Sequence, residues 1–129
     1  MRKFLVAASL AGATAVGAGA FGAHGLKESL TANNMLSTWN TAVLYNLIHA
    51  LALLTVGMPQ CEPPAAARAW FIRAAQSWIV GSVLFSGSLY GLALGGPKFL
   101  GPITPLGGLF LISGWIWIGV GAFKMTPKA

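Results

Sequence analysis

The chain is poor in charge. Of its 129 residues only 8% are Asp, Glu, Lys or Arg, against roughly 25% in an ordinary soluble domain. It contains no Asp, and its two acids are Glu28 and Glu62. That removes the parts of a glycosidase carboxylate pair, a Ser-His-Asp triad and a multi-carboxylate metal site. Its one cysteine, Cys61, cannot form an intrachain disulfide, a cysteine-rich zinc site or an iron–sulfur cluster. What it has instead is 56% hydrophobic residues and 17 glycines. Ten charges cannot cover the surface of a soluble fold, so the chain is expected in a membrane.

The few charges punctuate the sequence. Uncharged runs of 23, 33, 24 and 25 residues separate Lys3 from Lys27, Glu28 from Glu62, Arg73 from Lys98, and Lys98 from Lys124. A membrane helix needs ~20 predominantly apolar residues, so each run holds one span and none holds two. The fold class predicted is an all-α integral membrane protein, a compact bundle of four transmembrane helices in a single domain over 1–129. The spans fall at about 4–24, 35–58, 70–94 and 105–124. Asn33 or Asn34 suits the N-cap of the second helix, and Pro105 the first turn of the fourth.

Four spans put both termini and the central loop on one side. That side holds Arg2, Lys3, Arg68, Arg73, Lys124 and Lys128, and the other holds Lys27 and Lys98. Cytoplasmic loops carry the excess of Lys and Arg, so both termini are expected in the cytoplasm. The net charge of +6 flanks apolar runs and forms no patch with aromatics, so no nucleic-acid partner is expected. A rival reading takes Arg2-Lys3, the apolar stretch and Ala18-Gly19-Ala20 as a cleaved secretory signal. The stretch exceeds the usual ~7–15 apolar residues of a signal.

Small residues recur at helical spacing: Ala8, Gly12, Ala15, Gly19 and Gly22; then Gly87, Gly91 and Gly95; then Gly107, Gly114 and Gly121. Without a strand-to-helix context or a P-loop lysine they read as close helix packing. Trp39 is expected at the non-cytoplasmic interface with its N–H wet, and at most one of Trp115 and Trp117 faces the bundle squarely.

Four strings stand out: Gly19-Ala-Phe-Gly-Ala-His24-Gly; Trp39-Asn-Thr-Ala-Val-Leu-Tyr45 leading to His49-Ala-Leu-Ala-Leu-Leu54; Phe85-Ser-Gly-Ser-Leu-Tyr90; and Ile103-Thr-Pro-Leu-Gly-Gly108 followed by Gly114-Trp115. In this order over about residues 12–122 they resemble the small multi-pass membrane proteins catalogued as domain of unknown function 423. That family includes bacterial inner-membrane proteins and is similar to eukaryotic transmembrane protein 256. The resemblance implies a compact helical protein of the bacterial inner membrane, and carries over no reaction. His24, Tyr45, Ser88, Tyr90 and Thr104 belong to these motifs without an assigned role. The Gly19–Gly25 motif spans the proposed cleavage site, which favours the uncleaved reading.

Polar residues inside the spans are the remaining candidates. His24 and His49 differ by ~16 Å in depth at 1.5 Å per residue, so they cannot share one metal or haem. Counting depth from the helix ends places His49 near Ser82 and Asn46 near Ser86. These four are the candidate intramembrane cluster, because an unsatisfied amide or imidazole in hydrocarbon costs several kcal/mol. No catalytic constellation, cofactor or metal is assigned. The expected role is a non-enzymatic accessory, assembly or lipid-organising factor, with membrane lipids and a larger membrane complex or homo-oligomer as partners. The alternative is a small transporter or channel with a polar site around His49.

Overall fold

The computed structural model describes residues 1–125, and every regular element among them is helical. Long helices α1 (Arg2–Ala23), α3 (Leu36–Gly57), α4 (Ala65–Ala93) and α5 (Leu100–Phe123) are joined by the short α2 (Lys27–Ala32) and a 3-10 turn at Pro59–Cys61. Three of these, α1, α3 and α5, are long and apolar enough to cross a membrane. Their 22 to 24 residues cover about 33–36 Å, against a hydrocarbon core of ~30 Å. The 29-residue α4 is longer still but carries Gln76, two arginines and four serines, and it is not among the three.

Helices adjacent in the chain are adjacent in space: α1 packs on α3, α3 on α4, and α4 most extensively on α5. One buried cluster draws Phe4 and Ala8, Leu53 and Val56, Ala74 and Trp78, and Leu111 from all four long helices. A second, at the opposite end, packs Leu30 of α2 against Trp39 and Ala93. The sequence reading has only a loop where α2 lies. Leu30 is buried under an otherwise exposed turn of helix, and one apolar residue among polar ones is too short a pattern to announce it.

Several boundaries differ from expectation. Asn33 ends α2 with its Nδ2 donating to the Ser29 carbonyl, and Asn34 turns the chain at φ 56°, a left-handed conformation that asparagine tolerates. Met35 is the N-cap of α3 and makes no side-chain cap bond. Helix α4 starts at Ala65, and its first turns carry an exposed Arg68–Glu62 ion pair of 2.9 Å. Helix α5 starts at Leu100, so Pro105 lies inside it. Pro102 sits in the first turn, where its missing N–H would have had no partner; Pro105 leaves only the Gly101 carbonyl without a donor.

The glycines divide by what a side chain would meet. A Cβ on Gly107 would enter the α4 backbone at Leu84 and Phe85, and one on Gly114 the Trp78 indole. Gly121 faces Phe71 at a somewhat longer 2.8 Å, and Gly81 returns the contact from α4 onto Leu111. On α1, Gly22 seats the Trp39 ring, whereas Gly12 and Gly19 have ordinary contacts at 3.9 and 3.5 Å. The run on α4 behaves differently from the expected packing stripe. Gly87 has open space, Gly91 meets only the flexible end of Leu100, and Gly95 (φ +82°) closes the helix as Gly96 N–H bonds the Gly91 carbonyl at 2.7 Å. Trp39 also departs from expectation. It is buried, and its N–H donates to the Ala18 carbonyl at 2.8 Å, so it locks α3 to α1 instead of meeting water.

Candidate functional site

Asn46 lies ten residues into α3, about 15 Å from its start, and is buried. Its Nδ2 donates to Thr14 Oγ1 on α1 at 3.3 Å and to Tyr90 Oη on α4 at 3.2 Å. Helical side chains tilt toward their own N-terminus, so Tyr90 reaches down α4 and Asn46 up antiparallel α3 until they meet. The Tyr90 ring stands edge-on to Trp39, centroids 4.9 Å apart. This bridge joins α1 to α4 across α3.

Below the bridge, α1 and α4 part to leave a groove of about 440 Å³ floored by α3. Thr14, Asn46, Ser82, Ser86 and Tyr90 supply its polar edge; Ala7, Leu10, Leu53, Ile79 and Val83 line the rest. Among the described residues, no charged side chain lines it. Ser86 donates to the Ala42 carbonyl at 2.8 Å. The Ser82 hydroxyl oxygen is buried and has no partner among the described residues.

The four residues expected to bond one another do not. Asn46, Ser82 and Ser86 share the groove, but each finds a different partner or none. Depth counting sets Asn46 beside Ser86, whereas Ser86 lies against Ala42, one turn nearer the start of α3. A helix that begins five residues before the assumed position 70 shifts such a count, and depth alone ignores which way a side chain points.

His49 joins neither serine. Its Nδ1 lies 2.8 Å from the Tyr45 carbonyl and its Nε2 3.2 Å from Trp115 Nε1. An indole nitrogen only donates, so Nε2 accepts and the proton sits on Nδ1. His49 is thus a neutral imidazole with both nitrogens engaged, flanked by the Trp78 and Trp115 rings with centroids 6.2 and 6.0 Å away. The lone pair that a metal or haem would take is held by Trp115. Among the described residues, no three of His, Cys, Asp and Glu gather as a metal site.

The motif residues scatter. His24 caps the end of α1 and is exposed. Tyr45 is half-exposed and lays its ring 4.6 Å from Phe85. Ser88 Oγ lies 2.6 Å from Thr104 Oγ1, a bond in which either hydroxyl can donate, and it ties α5 to α4; each hydroxyl also reaches a carbonyl of its own helix, Phe85 at 2.9 Å and Leu100 at 3.4 Å. Sequence reasoning missed Thr14 and the Trp115–His49 bond. Thr14 has a readable signal: it is a polar residue midway along the first span. The tryptophan bond depends on helix rotation and has none.

Residues 18–108 match the family described as Protein of unknown function (DUF423). A UPF0382 membrane protein of Staphylococcus saprophyticus is 40% identical over 127 residues, covering 97% of this chain and all of its own. The chain belongs to the DUF423 family. Other members include UPF0382 membrane proteins of Haemophilus influenzae, 38% identical with 95% of this chain and 94% of that one covered, and of Schizosaccharomyces pombe, 40% identical with 84% and 91% covered. No solved structure matches the chain. These relatives are named as membrane proteins, and with its three apolar helices this DUF423 member is a helical membrane protein. The family match takes in Asn46, Ser82, Ser86 and Tyr90, while Thr14 and Trp115 lie outside it.

Proposed function

We propose that this DUF423 member is a four-span protein of the bacterial inner membrane that organises lipid, without turnover, by seating a lipid-like molecule in the groove between α1 and α4. The observation that carries this reading is the groove itself: about 440 Å³, uncharged, floored by α3 and edged by hydroxyls and an amide at mid-depth. That volume falls within the ~300–1,000 Å³ of small-molecule sites. The fourth span is α4. Its buried Ser86 and Ser88 are hydrogen-bonded to neighbouring helices or to its own backbone, so their hydroxyls need no water. Both termini face the cytoplasm, with Arg2, Lys3, Arg68, Arg73 and Lys124 on that side and Lys27 and Lys98 opposite; Lys128, counted with the former, lies outside the described residues.

The test is mass spectrometry of lipid retained by the chain purified in mild detergent. Gly87 lines the groove, and a Cβ there meets nothing within 4 Å. Gly87→Leu should therefore fill the groove while the helices stay in place. Wild type should carry lipid that the variant loses. Equal retention by the two refutes a groove site.

A further inference from the structure

We infer that the groove takes an uncharged, single-tailed amphiphile whose carbonyl-bearing head lies at mid-depth, a long-chain quinone in chemical class. This rests on the reading of the groove as a lipid site. The polar atoms are the first reason. Asn46 spends its Nδ2 on Thr14 and Tyr90, and the Tyr90 hydroxyl, which accepts that bond, makes no donated bond among the described residues. The Ser82 hydroxyl has no partner among the described residues and is buried in the same groove. Two O–H donors on one helix thus look for acceptors, and Tyr90 leans down α4 toward Ser82. Each would be answered by a carbonyl oxygen, whereas leaving a hydroxyl unpaired in an apolar site is costly.

Depth is the second reason. Asn46 is ten residues from one end of α3 and eleven from the other, so the donors lie near mid-bilayer. A phospholipid with its head at the interface would bring only hydrocarbon to that level. From the donors the groove runs on as one apolar channel past Leu10, Leu53 and Ile79 toward Ala7, the N-terminal side of α1, which accommodates one tail. Charge is the third reason. No cation lines the groove, and an unpaired anion at this depth is strongly disfavoured.

The full chain in mild detergent is titrated with decylubiquinone, dioctanoylglycerol and phosphatidylglycerol, and retention is read by native mass spectrometry. Decylubiquinone should bind best, and Gly87→Leu should abolish its binding. Ser82→Ala should weaken it about fivefold, the scale of one lost hydrogen bond. Because the Ser82 hydroxyl has no partner among the described residues, Ser82→Ala should unfold no sooner than wild type, which separates recognition from structure. Decylubiquinone binding unchanged in Ser82→Ala overturns the inference. Tighter binding of phosphatidylglycerol or dioctanoylglycerol, lost in Gly87→Leu, overturns the ligand class and leaves the lipid groove standing. If no probe binds and wild type matches Gly87→Leu, or if crosslinking shows a second copy in the groove, both fall.

Discussion

Replacing Gly107 by alanine and replacing Gly119 by alanine should have opposite effects, although both lie on α5 and gain one methyl group. In a helix interior, alanine is favoured over glycine by roughly 0.5–1 kcal/mol because less backbone freedom is lost. At Gly119 the new Cβ meets nothing within 4 Å, so Gly119→Ala should be neutral or stabilising by up to that amount. At Gly107 the new Cβ would overlap backbone atoms of Leu84 and Phe85. A side chain could rotate away, but backbone moves only if α4 and α5 separate. Overpacking of this kind costs typically ~1–3 kcal/mol, and here it loosens the most extensive helix contact in the molecule. Both variants gain the same alanine preference, so they should differ by the overpacking alone, about 1–3 kcal/mol. Unfolding of the detergent-solubilised protein by increasing SDS, followed by far-ultraviolet circular dichroism, measures this. Equal unfolding midpoints would mean that α4 and α5 do not approach at Gly107.

Three further outcomes are expected. Asn46→Ala should destabilise by about 1 kcal/mol, since membrane interhelical bonds average ~0.6 kcal/mol each and Asn46 makes two; a double-mutant cycle with Tyr90→Phe should show non-additive losses, and additivity would refute the bridge. Trp115→Phe leaves His49 Nε2 unpaired in a residue only 3% exposed and should cost ~1–3 kcal/mol; nitrogen-15 NMR should still find the His49 proton on Nδ1, and a proton on Nε2 of the wild type would refute the assignment. A cysteine at Lys98 in a Cys61→Ser background should react with an impermeant thiol reagent in intact cells, and labelling only after permeabilisation would reverse the proposed orientation.

Charge spacing made the long helices legible. The gaps from Glu28 to Glu62 and from Lys98 to Lys124 bracket α3 and α5, and the bounds of α1 and α3 lie within two residues of those expected, whereas α4 starts at Ala65 and carries Arg68 and Arg73 inside it. Proline was less informative, because Pro105 looks like a start and is tolerated as an interior residue of α5. The candidate site was legible as composition and not as geometry. Asn46, Ser82, Ser86 and Tyr90 are polar residues in apolar surroundings, which picks them out. Their partners depend on helix register and rotation, and a shift of one turn exchanges Ser86's neighbour from Asn46 to Ala42.

Hydropathy leaves α4, the proposed fourth span, out of the three apolar helices for a related reason. A transfer scale charges each serine and glycine as though it faced lipid alone. In α4 several of those residues face other helices: Ser86 bonds α3, Ser88 meets Thr104 of α5, and Gly81 admits Leu111. Like α3, α4 has a long helix on each side, and its buried Ser82 hydroxyl, without a partner among the described residues, lines the groove. Two buried polar atoms of α4 lack a partner among the described residues, Trp78 Nε1 and the Ser82 hydroxyl. Of the two, Ser82 lines the groove, so Ser82→Ala, which removes no bond to the described residues, is the substitution that tests the ligand reading.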